Sequence, residues 1–321
     1  MKFAVVGTNF ISDKFADAVA TLSDAEISAV YSRKCDTGEA FAEKHGINRV
    51  YTDYLDLLCD GNVDAVYIAS PTMCHAEQSI MAMQCGRSVL CEKMMAASLP
   101  EFYAMKECSR ATGKVLLEAM RPCFDPATEL IRRSFATIGR IKRAKFIFCQ
   151  YSSRYDAFLG GALPNAFNPK MKNSALSDIG IYPLHMAVNL FGMPNGIFAN
   201  SAFLQNGFEG EGQILLDYSN MSVEIEYSKI RGTNEPSVIL GSDGEITLDR
   251  INSPSEIYLT IGKEKQKLPY KAVPNNMIYE ISAFSDMVSG KMNYLPYLDI
   301  TEKTQIIVDM AYRQTGVCKK F

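Results

Sequence analysis

The sequence predicts a doubly wound, parallel α/β domain followed by an α+β domain with a large, mostly antiparallel open sheet. Three observations carry the prediction. Residues 1–120 alternate short, wholly apolar strand runs with helical segments. From residue 141 onward the strands are longer, alternate in polarity and follow one another with short polar turns. At 321 residues the chain is long enough for two separate cores.

The first domain reads in order. KFAVVG is a buried strand, Phe10 to Leu22 has helical spacing, and EISAVYS is a second strand. Asp36 to His45 is a helix closed by Gly46, whose missing Cβ suits the left-handed residue after a helix end. VDAVYIAS, RSVLCEK and KVLLEA are three more buried strands. Helices His75 to Gln84 and Ser98 to Thr112 separate them, ended by Gly86 and Gly113, and Ser98 with Glu101 forms a capping-box pair. Strands apolar on both faces require helices on both faces, hence a parallel sheet. The second domain opens with IKRAKFIFCQYSS and continues through IFANSAFLQN, GQILLDYS, MSVEIEYS, PSVILGS, GEITLDR and EIYLTIG, with hairpin signals at SNMS and GSDGE. Helices are expected at Asn275 to Ser289 and Asp299 to Thr315. The domains are therefore expected at 1–120 and 121–321.

Composition excludes several function classes. Apolar residues make up 47% and charged residues 21%, the balance of an ordinary globular protein. Net charge is −3 with scattered basic residues, so nucleic acid is not an expected partner. No apolar run reaches the ~18 residues of a membrane span. The nine cysteines form no CxxC pair, so reduced thiols, no metal site and a cytoplasmic location are expected. The chain enters a strand at once, and no leader peptide is expected.

The turn after the first strand, VGTNFISDKF, resembles a dinucleotide-binding turn thinned of its glycines. Gly7 remains, Asn9 stands in the second glycine place and Ser12 in the third. Asn tolerates positive φ and Ser is small enough for close helix packing, so the turn can still bring backbone N–H groups to a pyrophosphate. An ordinary strand–helix connection is the alternative. The second strand ends in Tyr31-Ser32-Arg33-Lys34 where NAD-specific domains carry an acid. A hydroxyl beside two cations suits a 2′-phosphate and favours NADP(H), with a solvated basic loop end as the alternative.

Three further stretches carry candidate chemistry. In IASPTMCH, Pro71 and Thr72 follow a strand's C-terminal end, where open α/β sheets bind ligands, and His75 opens the next helix. In VLCEKM, Lys93 leaves a buried strand at that same edge and can act as a proton donor, unless it is simply a strand-end lysine in water. In ALSDIGIYPLHMAVNLFG, Asp178, Tyr182, His185 and Asn189 form a polar stripe at i, i+4, i+7, i+11 on an apolar helix. Pro183 restricts the helix start, placing Asp178 at or before the N-terminus. Carboxylate, phenol and imidazole together can bind a polyol and move a hydroxyl proton. A satisfied core histidine beside an N-cap aspartate is the alternative.

These residues together resemble the Gfo/Idh/MocA family, relatives of glucose–fructose oxidoreductase and inositol dehydrogenase. The resemblance runs nearly end to end through GTNFIS, YSR, VDAVYIASPTMCH, GRSVLCEK, LLEAMRP and DIGIYPLH, and FISDKF, EAMRPCFDP and DIGIYPLH are most similar to the NADP-using dihydrodiol dehydrogenase-like members. It implies hydride exchange between a nicotinamide and a carbinol or carbonyl carbon of a sugar, cyclic polyol or diol. It implies that Lys93, matching the family's EKP lysine, binds the reacting hydroxyl, with Asp178, Tyr182 and His185 matching the DxGxYxxH helix. Cofactor contacts are implied at Gly7, Thr8, Asn9, Phe10 and Ile11, at Ser32 and Arg33, at Ser70, Thr72 and His75 beside the nicotinamide, and at Glu92 and Lys93. NADP is the implied cofactor, with NAD possible, and a homodimer or homotetramer through the C-terminal sheet is implied. Two departures, Met94 for the family proline and NSALSD for GGxxxD, predict an altered substrate pocket. The rival readings are a nucleotide-bound sensor without catalysis and a reductase of an aromatic or tetrapyrrole substrate.

Overall fold

The computed structural model describes residues 1–320 and divides them into two units, one of Met1–Met120 with Asn275–Asp299 and the other of Arg121–Pro274 with Ile300 onward. The first holds a six-stranded parallel sheet of β1 (Lys2–Val6), β2 (Glu26–Tyr31), β3 (Val50–Tyr51), β4 (Ala65–Ile68), β5 (Ser88–Glu92) and β6 (Leu116–Ala119). Their spatial order β3-β2-β1-β4-β5-β6 reverses between β1 and β4. That reversal opens a crevice at the strand C-termini, the ligand edge of a doubly wound sheet. The intervening helices are α1 (Phe10–Val19), α2 (Cys35–His45), α3 (Tyr54–Cys59), α4 (His75–Gln84) and α5 (Leu99–Thr112). Phe15 of α1 stacks on Tyr67 of β4 with ring centroids 3.7 Å apart, fixing α1 against one face of the sheet.

The second unit begins with α6 (Arg121–Phe124) and α7 (Pro126–Ile138), then β7 (Arg143–Cys149), α8 (Tyr155–Leu159) and α9 (Ile181–Phe191). It continues through β8 (Gly196–Phe203), β9 (Glu209–Tyr218), β10 (Met221–Ser228), β11 (Ser237–Leu240), β12 (Gly244–Leu248), β13 (Ile257–Ile261) and β14 (Glu264–Lys267). The eight strands lie in the order β14-β13-β12-β11-β7-β10-β9-β8, antiparallel except where β10 pairs parallel with β7. Helix α9 is mostly apolar and is buried from Ile181 to Val188, as a helix with only a narrow polar stripe must be.

Two helices remain, α10 (Met277–Val288) and α11 (Leu295–Thr315). The expected second domain ran unbroken from 121 to 321, but Asn275–Asp299 belongs with the first unit. Phe284 of α10 packs on Phe3 of β1 at 5.8 Å, and burial of that apolar face outweighs sequence order. Elements that the sequence pattern did not announce are β3, α3, α6, α7, α8 and β14. The Ser98 cap forms, but Glu101 returns its carboxylate to the N–H of Ala97 rather than to that of Ser98. Among the described residues no helix is long and apolar enough to cross a membrane, and no cluster of three or more His, Cys, Asp or Glu could hold a metal.

Candidate active site

Gly7 closes β1 with φ +98°, and a Cβ there would lie 2.9 Å from the carbonyl oxygen of Ala69 at the end of β4. Only glycine fits that close approach, so the two strand ends meet across the crevice. Asn9 does not work as a glycine surrogate. Its φ is −92°, and it caps α1, with Oδ1 accepting from the N–H groups of Ile11 (2.9 Å) and Ser12 (3.3 Å). Its Nδ2 donates to the Ala69 carbonyl at 2.6 Å, a second tie across the switch point. Ser12 is fully buried, consistent with its place against the sheet. The N–H groups of Thr8, Asn9 and Phe10 have no acceptor among the described residues. A pyrophosphate therefore has these three donors at the mouth of α1, while Ile11 offers its N–H only if Asn9 releases it.

At the end of β2, Ser32 is buried and its hydroxyl shares a 2.6 Å hydrogen bond with Thr37 in the first turn of α2. Arg33 and Lys34 are exposed. The cations, rather than the serine hydroxyl, are the groups open to an anionic ligand.

The loop after β4 and the loop after β5 are fastened to each other. Ser70 donates to Gln78 at 2.5 Å, and Thr72 opens a single 3₁₀ turn, Thr72–Cys74. His75 is buried, with Nε2 2.8 Å from the Ser70 carbonyl and Nδ1 3.0 Å from the Met94 carbonyl. Burial holds its pKa below the ordinary imidazole value, with the carbonyls pulling the other way. A neutral His75 has one N–H, so it donates to one of these two carbonyls at a time while its ring stays packed between both loops. Glu92 accepts from the Tyr67 hydroxyl at 2.6 Å and from the Lys93 N–H at 3.2 Å. Glu118 on β6 accepts from the Met95 N–H at 2.9 Å. Met94 and Met95 are buried, and the Lys93–Met94 peptide is cis. Lys93 therefore leaves β5 on a loop anchored by His75, Glu92 and Glu118, with buried Met94 in place of the proline of the EKP motif.

In the second unit the polar stripe is built on a wide turn. Leu176–Gly180 is π-helical and continues into α9, so Asp178 lies inside the turn rather than at an N-cap. The wider coil accommodates Pro183, which has no N–H and whose ring would press on the carbonyl four residues back. Glu209 of β9, nearly fully buried, accepts from the Leu176 N–H at 2.9 Å, from Ser201 at 2.5 Å and from Tyr227 at 2.9 Å. This carboxylate anchors the start of the turn, and burial raises its pKa. Gly180 lies against Tyr227, where a Cβ would stand 2.7 Å from Cγ of the ring.

Asp178 does not orient His185. Its carboxylate pairs with Lys229 at 2.8 Å, a residue just past β10. Tyr182 is buried, in edge contact with Phe148 at 5.6 Å, and its oxygen accepts from Arg121 Nη2 at 3.4 Å. His185 is 3% exposed, and burial alone pulls its pKa down to about 3. It has no hydrogen-bond partner among the described residues and is a neutral imidazole near pH 7. Asn189 leaves the stripe for a structural task, its Oδ1 accepting from Arg132 of α7 at 3.1 Å.

The first unit thus gathers Gly7, Asn9, Ser70, His75, Glu92 and Lys93 at strand C-termini, and the second gathers Asp178, Tyr182 and His185 on one turn and helix. Sequence reasoning missed Arg121 and Lys229. Arg121 lies two residues past β6 in EAMRP and could have been taken with it, whereas Lys229 stands 51 positions from its partner Asp178, with no local signal.

Comparison with known proteins identifies the family. Residues 1–120 match the family model of an oxidoreductase family with an NAD-binding Rossmann fold, and residues 129–247 match a GFO/IDH/MocA C-terminal domain. The chain is 36% identical over 324 residues to scyllo-inositol 2-dehydrogenase (NADP(+)) IolU of Bacillus subtilis, covering 99% of this chain and 98% of that one. It is 26% identical over 337 residues to mouse trans-1,2-dihydrobenzene-1,2-diol dehydrogenase, covering 99% and 97%. The fold matches KijD10, a 3-ketoreductase from Actinomadura kijaniata solved with NADP and TDP-benzene, with a TM-score of 0.89 at 20% identity over 98% of both chains. With a Rossmann unit whose ligand edge carries an anchored lysine, and with relatives matching along almost its whole length, the chain belongs to the Gfo/Idh/MocA family of NAD(P)-dependent oxidoreductases.

Proposed function

We propose that the protein is an NADP(H)-preferring dehydrogenase or reductase acting on a carbinol or carbonyl carbon of a cyclic polyol, sugar or diol. The observation that carries this reading is the Lys93 loop at the ligand edge of the parallel sheet, fastened by the carbonyl of Met94 to His75 and by the N–H of Met95 to Glu118. A cradle that only Gly7 can line, three open N–H groups and the exposed Arg33 and Lys34 fit a dinucleotide carrying a 2′-phosphate. When bound, the nicotinamide supplies or takes the hydride.

The remaining chemistry belongs to side chains. Lys93 hydrogen-bonds the reacting oxygen and relays its proton. Tyr182, its oxygen already accepting from Arg121, is the better proton donor of the stripe. His185 is a weak base because burial has lowered its pKa, so it binds a hydroxyl rather than taking a proton from one. Asp178 orients substrate hydroxyls as a carboxylate held by Lys229. The name of IolU supports a cyclic polyol and favours NADP, and the name of the mouse diol dehydrogenase supports a diol. A homo-oligomer through the open face of the second sheet and a cytoplasmic location complete the reading.

The test is turnover of a panel of inositols, aldoses and trans-dihydrodiols with NADP⁺ or NAD⁺, followed at the nicotinamide absorbance. The expected result is turnover of a cyclic polyol or diol, with kcat/KM at least about tenfold higher for NADP⁺ through the Arg33–Lys34 contacts. Tight NADP(H) binding with no turnover anywhere in the panel would overturn it in favour of a sensor.

A further inference from the structure

Lys229 is a buried cation joined to two parts of the second unit at once. Its Nζ lies 2.8 Å from Asp178 Oδ2 and donates to the carbonyl of Ala166 at 2.7 Å. It stands 4.9 Å above the ring centroid of Phe167 and 5.2 Å from that of Phe208. Phe167 in turn packs on Tyr155 and Phe158 of α8, at 5.5 and 5.6 Å. This segment carries exposed Leu159 and Leu163 and contains GGAL. Burying an ammonium is costly unless charge, carbonyl or ring faces replace its water, and here all three do.

We propose that Lys229 is a positioning residue that couples Asp178 to the segment 155–171, so that the seating of this segment and the orientation of the Asp178 carboxylate change together. One ammonium holds both, and a substrate that draws the carboxylate away loosens the Ala166 end. The consequence for turnover rests on the reading of Asp178 as a substrate-binding group; the coupling itself does not.

The test compares the parent with Lys229→Met, Asp178→Asn and the double variant by amide hydrogen exchange and by steady-state kinetics. Methionine keeps the ring contacts without the charge, and Asp178→Asn breaks the pair from its half-exposed end if Lys229→Met does not fold. Each single variant is expected to speed exchange at 165–171 by about tenfold, with the β9 amides unchanged and the double variant no faster than Lys229→Met. Catalytically, Lys229→Met is expected to lose about tenfold or more in kcat/KM in the parent background and almost nothing in the Asp178→Asn background, with Lys229→Arg recovering part of the loss. Unchanged exchange at 165–171 in the folded single variants, or additive effects in the double variant, would overturn the coupling. Coupled exchange in a protein that turns over nothing in the panel upholds this inference and sinks the enzymatic reading instead.

Discussion

Lys93 and His185 show how local surroundings set what a side chain can do. Lys93 sits beside buried Glu92 on a loop that three side chains fasten. Lys93→Met is therefore expected to lower kcat/KM by about a hundredfold or more while the NADP(H) dissociation constant, from fluorescence titration, changes by less than about threefold. Unchanged turnover removes Lys93 from the mechanism. His185 has a folded-state pKa of about 3 against an ordinary 6.5. Between those values the unfolded chain binds a proton that the folded protein does not, so stability is intact above pH 6.5 and falls as the pH drops toward 3. His75, also buried and lowered, adds to the slope with the same sign. Denaturant melts at pH 7 and pH 5 are expected to show a shallower pH slope for His185→Gln, by up to about 1.4 kcal/mol per pH unit. Identical slopes would place His185 in contact with water or an acceptor. Of the residues themselves, Gly7, Lys93 and the Asp178–His185 stripe were legible, because each stands beside a strand end or on a helical period. The role of Asn9 was misread, since a single asparagine suits both a left-handed turn and an N-cap, and only its backbone angles distinguish them.

At the scale of elements, the π-helical turn Leu176–Gly180 determines which way the stripe faces. A spacing of four, three and four residues reads as one continuous α-helix, yet Pro183 and the Glu209 anchor open the coil before α9 begins. Gly180 is the point of closest approach, with Tyr227 against its Cα. Gly180→Ala is expected to destabilise the second unit by about 1–3 kcal/mol, and a thermal melt with a lower midpoint checks it. A midpoint equal to the parent's would mean that the Tyr227 ring can step aside. The same scale shows an omission. Helix α7 carried its own start signal, Asp125 capping the N–H of Ala127 at 3.0 Å with Pro126 in the first turn, and the stretch DPATELIRRS displays both. By contrast β3 is two residues long and β14 wholly exposed and polar, so neither has a hydrophobic period to read.

At the scale of the whole molecule, one face of the eight-stranded sheet presents apolar side chains. Phe198 on β8 and Leu215 on β9 are direct cross-strand partners and are 69% and 46% exposed. An exposed apolar pair on an open sheet face is what a second copy of the chain would cover. The parent is expected to sediment as a dimer or tetramer and Phe198→Glu as a smaller species; a monomeric parent at micromolar concentration would reject the interface. The sequence by itself determined the class of each half, because wholly apolar strands separated by helices and alternating strands separated by short turns have different ways of excluding water. It also placed Gly7, Ser32 and Lys93 directly after strand ends. Only the tertiary structure decided that Asn275–Asp299 packs with the first unit, that Lys229 pairs with Asp178, that Arg121 donates to Tyr182 and that His185 has no partner among the described residues. Those outcomes depend on which distant side chains share a buried space, and there the cost of an unmatched charge or an unfilled apolar face overrides anything that neighbouring residues prefer.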